Sequence, residues 1–150
     1  MENLSYKNIL VCRANDGSNF SLDFAGMILS NEGLYLEYDF MSRISAEYIL
    51  GEATLRVEED RLIGDLVVYA TAAKNILDPK DKLSEFQIRA LVLGLTPSIS
   101  GIIKERDKAT PSKILKFTIS TVSLGKTPNV DVVIKTLREQ IKQQNEKLVP

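Results

Sequence analysis

Two hydroxyl-bearing stretches hold the side chains whose type and spacing point to chemistry: Gly94-Leu95-Thr96-Pro97-Ser98-Ile99-Ser100-Gly101 and Ile119-Ser120-Thr121-Val122-Ser123-Leu124. A serine hydroxyl becomes a useful nucleophile only beside a base that takes its proton as the new bond forms. The usual base is an imidazole, and the chain has 0 histidines among 150 residues. Taken alone, these residues have plain structural roles. Ser98 after Pro97 begins a strand, and Ser120 and Ser123 are polar positions on a sheet. Gly94 reads as a helix C-cap rather than a phosphate loop, because no glycine-rich motif surrounds it.

The remaining reactive side chains are placed where solvation explains them. Glu58, Glu59 and Asp60 cluster with Arg61 in a turn, and Asp78, Asp81 and Glu85 stand near a helix start, where they complement its dipole. The single Cys12 excludes an internal disulfide and a cysteine-rich metal site, which fits a reducing compartment. No cofactor or metal site is predicted. A net charge of -1 provides no field for nucleic acid or an anionic membrane. No segment approaches the ~20 apolar residues that span a bilayer, and Met1 to Lys7 has no basic stretch followed by a long apolar run of the kind a signal peptide needs. These observations predict a cytoplasmic protein with a single domain over 1–150, residues 144–150 forming a frayed tail.

The elements that must position the serines are mostly strands. Asn8 to Cys12 is a short apolar run, and Phe20 to Phe24 alternates after the Asp16-Gly17 turn. The turn Asn31-Glu32-Gly33 leads into alternation from Leu34 to Phe40, predicting a hairpin. Ala53 to Val57 and Leu62 to Tyr69 flank Glu59-Asp60 as a second hairpin, and Ile99 to Lys104 and Ile114 to Leu124 complete the strands. Leu83, Phe86, Ala90 and Leu93 recur at helical spacing, predicting a helix over 81–93 with Asp78 or Asp81 at its start. Pro128-Asn129 opens a C-terminal helix over 129–143, with Val130, Val133, Ile134, Leu137 and Ile141 as its apolar stripe.

In this setting residues 51–136 resemble the bacteriophage prohead proteases, relatives of the herpesvirus assembly protease. In that family a strand pair and a helix lead through a glycine to a block like Gly-Met-Ser-Ile-Gly-Phe that carries the nucleophile. Here the helix ending at Leu93-Gly94 leads to Thr96-Pro97-Ser98-Ile99-Ser100-Gly101, which puts Ser98 on the nucleophile position. The family's next block, like Ile-x-Glu-Val-Ser-Leu-Val before Pro-Ala-Asn-Pro, corresponds to Ile119 to Gly125 before Thr127-Pro128-Asn129. The resemblance implies a mainly β, α+β fold: an antiparallel barrel-like sheet with one internal and one C-terminal helix.

The departures fall on the catalytic positions. The family histidine position falls near Ile44 and the acidic position on Thr121. Ser98 is then a vestigial nucleophile. Lys104, on the strand following Ser98, is the base that a Ser-Lys dyad would require, yet an exposed lysine is protonated near neutral pH. The resemblance therefore implies a phage or prophage protein without peptidase activity, with a structural role in head assembly. Such a protein self-associates and has a capsid or scaffold protein as partner. An unrelated oligomeric binding or structural module is the alternative, followed by an active serine endopeptidase with a base other than histidine.

Overall fold

The computed structural model describes residues 1–14, 21–22, 27–28, 34–43, 45–126 and 134–148. Its strands are β1 (Leu4–Arg13), β2 (Ser21–Leu22), β3 (Met27–Ile28), β4 (Leu34–Tyr38), β5 (Ile49–Glu58), β6 (Arg61–Val68), β7 (Thr96–Arg106) and β8 (Lys113–Gly125). Its helices are α1 (Ala70–Leu77), α2 (Glu85–Leu93) and α3 (Leu137–Leu148). The turns at 16–17, 31–33 and 128–129, and Phe20, Phe24 and Ile44, lie outside the described residues.

All the strands join one sheet, in which β1, β6, β5, β4 and β8 are successive neighbours. β7 runs antiparallel along the whole of one edge of β8. β2, β3 and β4 take the other edge in turn, each parallel to β8, at Ser21↔Lys113, Met27↔Phe117 and Glu37↔Ser123. The α+β class holds, and most pairs are antiparallel. The hairpin expected before Leu34 does not form: β3 and β4 both bind β8, and the antiparallel partner of β4 is β5. A strand of 13 residues presents an edge long enough to collect three short segments end to end. The hairpin around Glu59-Asp60 is present, with Glu58 opposite Arg61 and Glu59 at φ 57.

The sheet is not closed into a barrel. β1 runs beside β7, but no ladder joins them among the described residues. One physical reason is visible on β1. The Gln140 carboxamide on α3 accepts from the Leu10 N–H at 2.8 Å and donates to the Leu10 carbonyl at 3.0 Å. Gln144 donates in turn to the carbonyls of Lys7 and Asn8 at 3.0 and 3.1 Å. Two glutamine side chains thus occupy backbone groups that a closing strand would use, and they cover an edge otherwise open to foreign strands.

Register decides which side chains reach the core. Ser100 opposes Thr121 while Gly101 opposes Ile119, so β8 carries one extra residue at Ser120. Such a bulge reverses the alternation of the bulged strand. Phe117 and Ile119 below it therefore join Val122 and Leu124 above it among the buried side chains. Gly101 is required at this crossing, since a Cβ there would lie 2.2 Å from the Thr118 carbonyl oxygen. The main core gathers Ile9, Val11, Leu36, Leu50, Leu66 and Val122 with Val92 of α2 and Leu137 of α3.

The helices differ from expectation in their ends. α1 is additional; it buries Ala73 fully and packs Ile76 and Leu77 against the main core. α2 starts at Glu85 rather than Asp81, because Ser84 and Gln87 form a reciprocal capping box. Asp78 is not a dipole partner at a helix start. It caps the end of α1, buried, and its carboxylate accepts from the Lys82 and Leu83 N–H groups at 2.8 and 3.0 Å, which turns the chain into α2. α3 starts at Leu137, where Thr136 accepts from the Glu139 N–H at 3.3 Å, and it continues through residues 144–148, which are helix rather than frayed tail. No helix among the described residues is long and apolar enough to cross a membrane.

Candidate functional site

Three neighbouring strands build a polar row. Ser98 on β7 opposes Ser123 on β8, and Ser123 is the parallel partner of Glu37 on β4. Paired residues share a face. The adjoining pairs, Ile99 with Val122 and Leu36 with Val122, lie on the main core side, so Glu37, Ser123 and Ser98 lie on the opposite face. Thr121 and Ser100 form the next pair along the same face.

This face is not uniformly wet. Ser98 is half-buried, Ser123 is 0% exposed and Glu37 is 2% exposed. The cover begins immediately after β4. Asp39 and Phe40 have φ of 50 and 58, and this left-handed pair carries the chain sideways over the row. The Phe40 N–H donates to Ser123 Oγ at 3.0 Å, and the Asp39 N–H donates to the Leu124 carbonyl at 2.9 Å. A left-handed phenylalanine is strained, and such strain persists only where the surroundings enforce it. A short helical turn at Met41–Arg43 follows.

Beneath this cover, Glu37 Oε2 is buried without a hydrogen-bond partner, the one such side-chain atom among the described residues. Its neighbour on the other side is Ile49 of β5, which has no side-chain donor. Among the described residues the other buried polar side chains are engaged: Asp78 by two N–H groups, Gln140 by β1 and Ser123 by Phe40. An unsatisfied buried oxygen in a row with two hydroxyls and next to a strained turn marks a candidate site.

The residues singled out in the sequence fall differently around it. Ser98 and Thr121 occupy neighbouring pairs of the same face, and the Ile44 position lies outside the described residues. Lys104 is not brought to Ser98. It is exposed, sits at a register shift of β7, and lies six residues along the strand, roughly 20 Å away at the usual rise per residue. A lysine there cannot take a proton from Ser98, because the strand carries it away from the row. Glu37 was the residue that sequence patterning could not single out: its alternation in Leu34 to Phe40 reads as an ordinary exposed position. It lies between β8, which is distant in the chain, and a turn at Phe40 that is held down by Ser123 of that same distant strand.

Outside the row, electrostatics is structural. The Asp65 carboxyl is held below its ordinary range, first by the Asn8 N–H at 3.0 Å and then by the Arg56 guanidinium. Burial pushes the Tyr6 phenol up to about 12. Among the described residues no group of three or more histidine, cysteine, aspartate or glutamate side chains is arranged to hold a metal ion. Compared with known proteins, the chain matches no family model and no curated sequence.

Proposed function

We propose that this chain is a prohead-protease-like protein of a phage or prophage, acting in the bacterial cytoplasm as a homo-oligomer with a structural role in head assembly and without peptidase activity. The supporting observation is the register of Ser98. Helix α2 is capped by Gly94, the chain enters β7, and Ser98 stands opposite Ser123, so the two blocks that carry the resemblance lie side by side. No imidazole exists in the chain, and the carboxylate in the row is two strands away, about 10 Å between Cα atoms. Deprived of an adjacent base, Ser98 retains only what binding and fixed dipoles contribute.

The test has two arms. Purified protein incubated with a fluorophosphonate probe and with casein is expected to show neither labelling nor cleavage; labelling of Ser98 that Ser98→Ala abolishes overturns the inactive reading. For the assembly role, mass spectrometry of purified proheads from the host phage is expected to find the chain, and its absence from them overturns that part.

An oligomeric binding module without enzymatic ancestry is favoured by one further observation. Ile102 and Ile103 are 56% and 42% exposed on the outer half of β7, and both faces of that half meet solvent. Adjacent exposed isoleucines on this half of β7 offer an interaction surface. Light scattering at high concentration is expected to report a multimer, reduced by Ile102→Lys with Ile103→Lys; a 16.7 kDa species throughout removes self-association from both readings.

A further inference from the structure

We propose that the row Glu37, Ser123, Ser98 is a binding site for an aliphatic primary ammonium group, whether of a free alkylamine or of a lysine side chain. The site does not depend on the assembly reading. A carboxylate that is 2% exposed, with Oε2 fully enclosed and unpartnered, is costly in an ionised state unless a cationic donor joins it. No such donor exists among its described neighbours, since Ile49 flanks it on β5 and Ser123 on β8.

The acceptors present select the ligand. An ammonium group carries three N–H donors in a compact head, and the inner end of the row offers a carboxylate oxygen with the adjoining Ser123 hydroxyl oxygen, Ser98 lying one strand farther out. Ser123 Oγ accepts from the Phe40 N–H and keeps a second lone pair. A guanidinium is a poorer fit, because its planar fork engages both oxygens of a carboxylate, whereas at Glu37 Oε2 alone is buried without a partner. A divalent cation is poorer still, because calcium and magnesium draw on several carboxylates or carbonyls and this row holds one carboxylate.

The row has a wet end and a dry end. Thr96, Ser98 and Ser100 are half-buried on β7, Ser123 and Glu37 are buried, and the turn at Phe40 lies over the latter two. An unbranched chain therefore approaches across Ser98 with its head toward Glu37. Burying that head against a carboxylate in a dry setting strengthens the contact relative to water.

The experiment titrates the full chain with n-butylamine hydrochloride, with sodium butyrate and sodium chloride at matched ionic strength as controls, reading Tm and calorimetric binding. A saturable rise in Tm with butylamine and none with butyrate is expected. Glu37→Gln, which keeps the side-chain shape, is expected to weaken butylamine binding by at least about tenfold. Ser98→Val at the mouth is expected to weaken it too. No saturable binding of butylamine to the native chain overturns the proposal, as does equal binding to folded Glu37→Gln. The peptide acetyl-Gly-Lys-Gly-amide separates the sources. Tighter binding than butylamine assigns the site to a lysine of a polypeptide, and equal or weaker binding assigns it to a free alkylamine.

Discussion

Glu37 and Ser123 stand side by side in the parallel register of β4 and β8, both buried, on the face of the sheet turned away from the main core. Ser123 is tied to the Phe40 N–H at 3.0 Å, whereas Glu37 Oε2 has no hydrogen-bond partner. One member of the pair holds the strained turn down, and the other carries the cost of being covered by it.

Ser123→Ala is expected to destabilise by about 1–2 kcal/mol, because the Phe40 N–H loses its acceptor under cover. Ser98→Ala, at the half-buried end of the same row, is expected to change stability by about 0.5 kcal/mol or less. Urea unfolding of both variants measures the contrast, and equal effects would contradict the assignment of the turn to Ser123.

Glu37→Leu is expected to raise the urea midpoint, by about 1–3 kcal/mol in stability, because it removes an unpartnered buried oxygen and leaves an apolar side chain beside Ile49. A loss of stability would mean that the carboxylate has a stabilising partner after all.

Phe40→Asn addresses the backbone. Asparagine tolerates the left-handed region better than phenylalanine, and Phe40 is 45% exposed, so little packing is lost. The variant is expected to be more stable by about 0.5–1 kcal/mol in thermal unfolding.

Gln140→Ala removes the reciprocal pair with Leu10 and the bond to the Lys135 carbonyl. A loss of about 2–3 kcal/mol is expected, together with faster exchange of the Leu10 amide hydrogen. Gln140→Glu keeps an acceptor for the Leu10 N–H but faces both carbonyls without a donor, so it is expected to be at least as damaging.

Tyr6 sets an alkaline limit. Its phenol is raised by burial to about 12 in the fold, while the unfolded chain releases the proton near 10. The folded state therefore binds the proton more tightly; the contribution is complete below about 10 and is lost as pH rises through about 12, roughly 3 kcal/mol across that interval. Tyr6→Phe is expected to flatten the fall of stability between these values, read by urea unfolding at each pH.

Much of the strand pattern was legible in local alternation. Leu62 to Tyr69, Ile114 to Leu124 and the Glu59-Asp60 turn reappear closely, because side chains on a half-buried strand declare their faces every second residue. α1 was passed over although Ala73, Ile76 and Leu77 recur at helical spacing, since the segment is short and no side chain caps its start at Tyr69. The start of α3 was misplaced because the apolar spacing continues upstream of Leu137, while Thr136 supplies the actual cap.

Composition by itself determined that no histidine can serve Ser98, and spacing by itself placed a strand at Ser98 after a helix capped by Gly94, although that strand starts at Thr96 rather than at Ser98. Only the tertiary structure decided that Ser98 is set opposite Ser123 and that Glu37 is brought into its row. It also decided that the sheet stays open beside α3, through Gln140 on β1. The physical reason is common to all three. Parallel pairing, register shifts and side-chain coverage of an edge join residues far apart in the chain, and no local periodicity encodes which distant strand or glutamine will take a given backbone group.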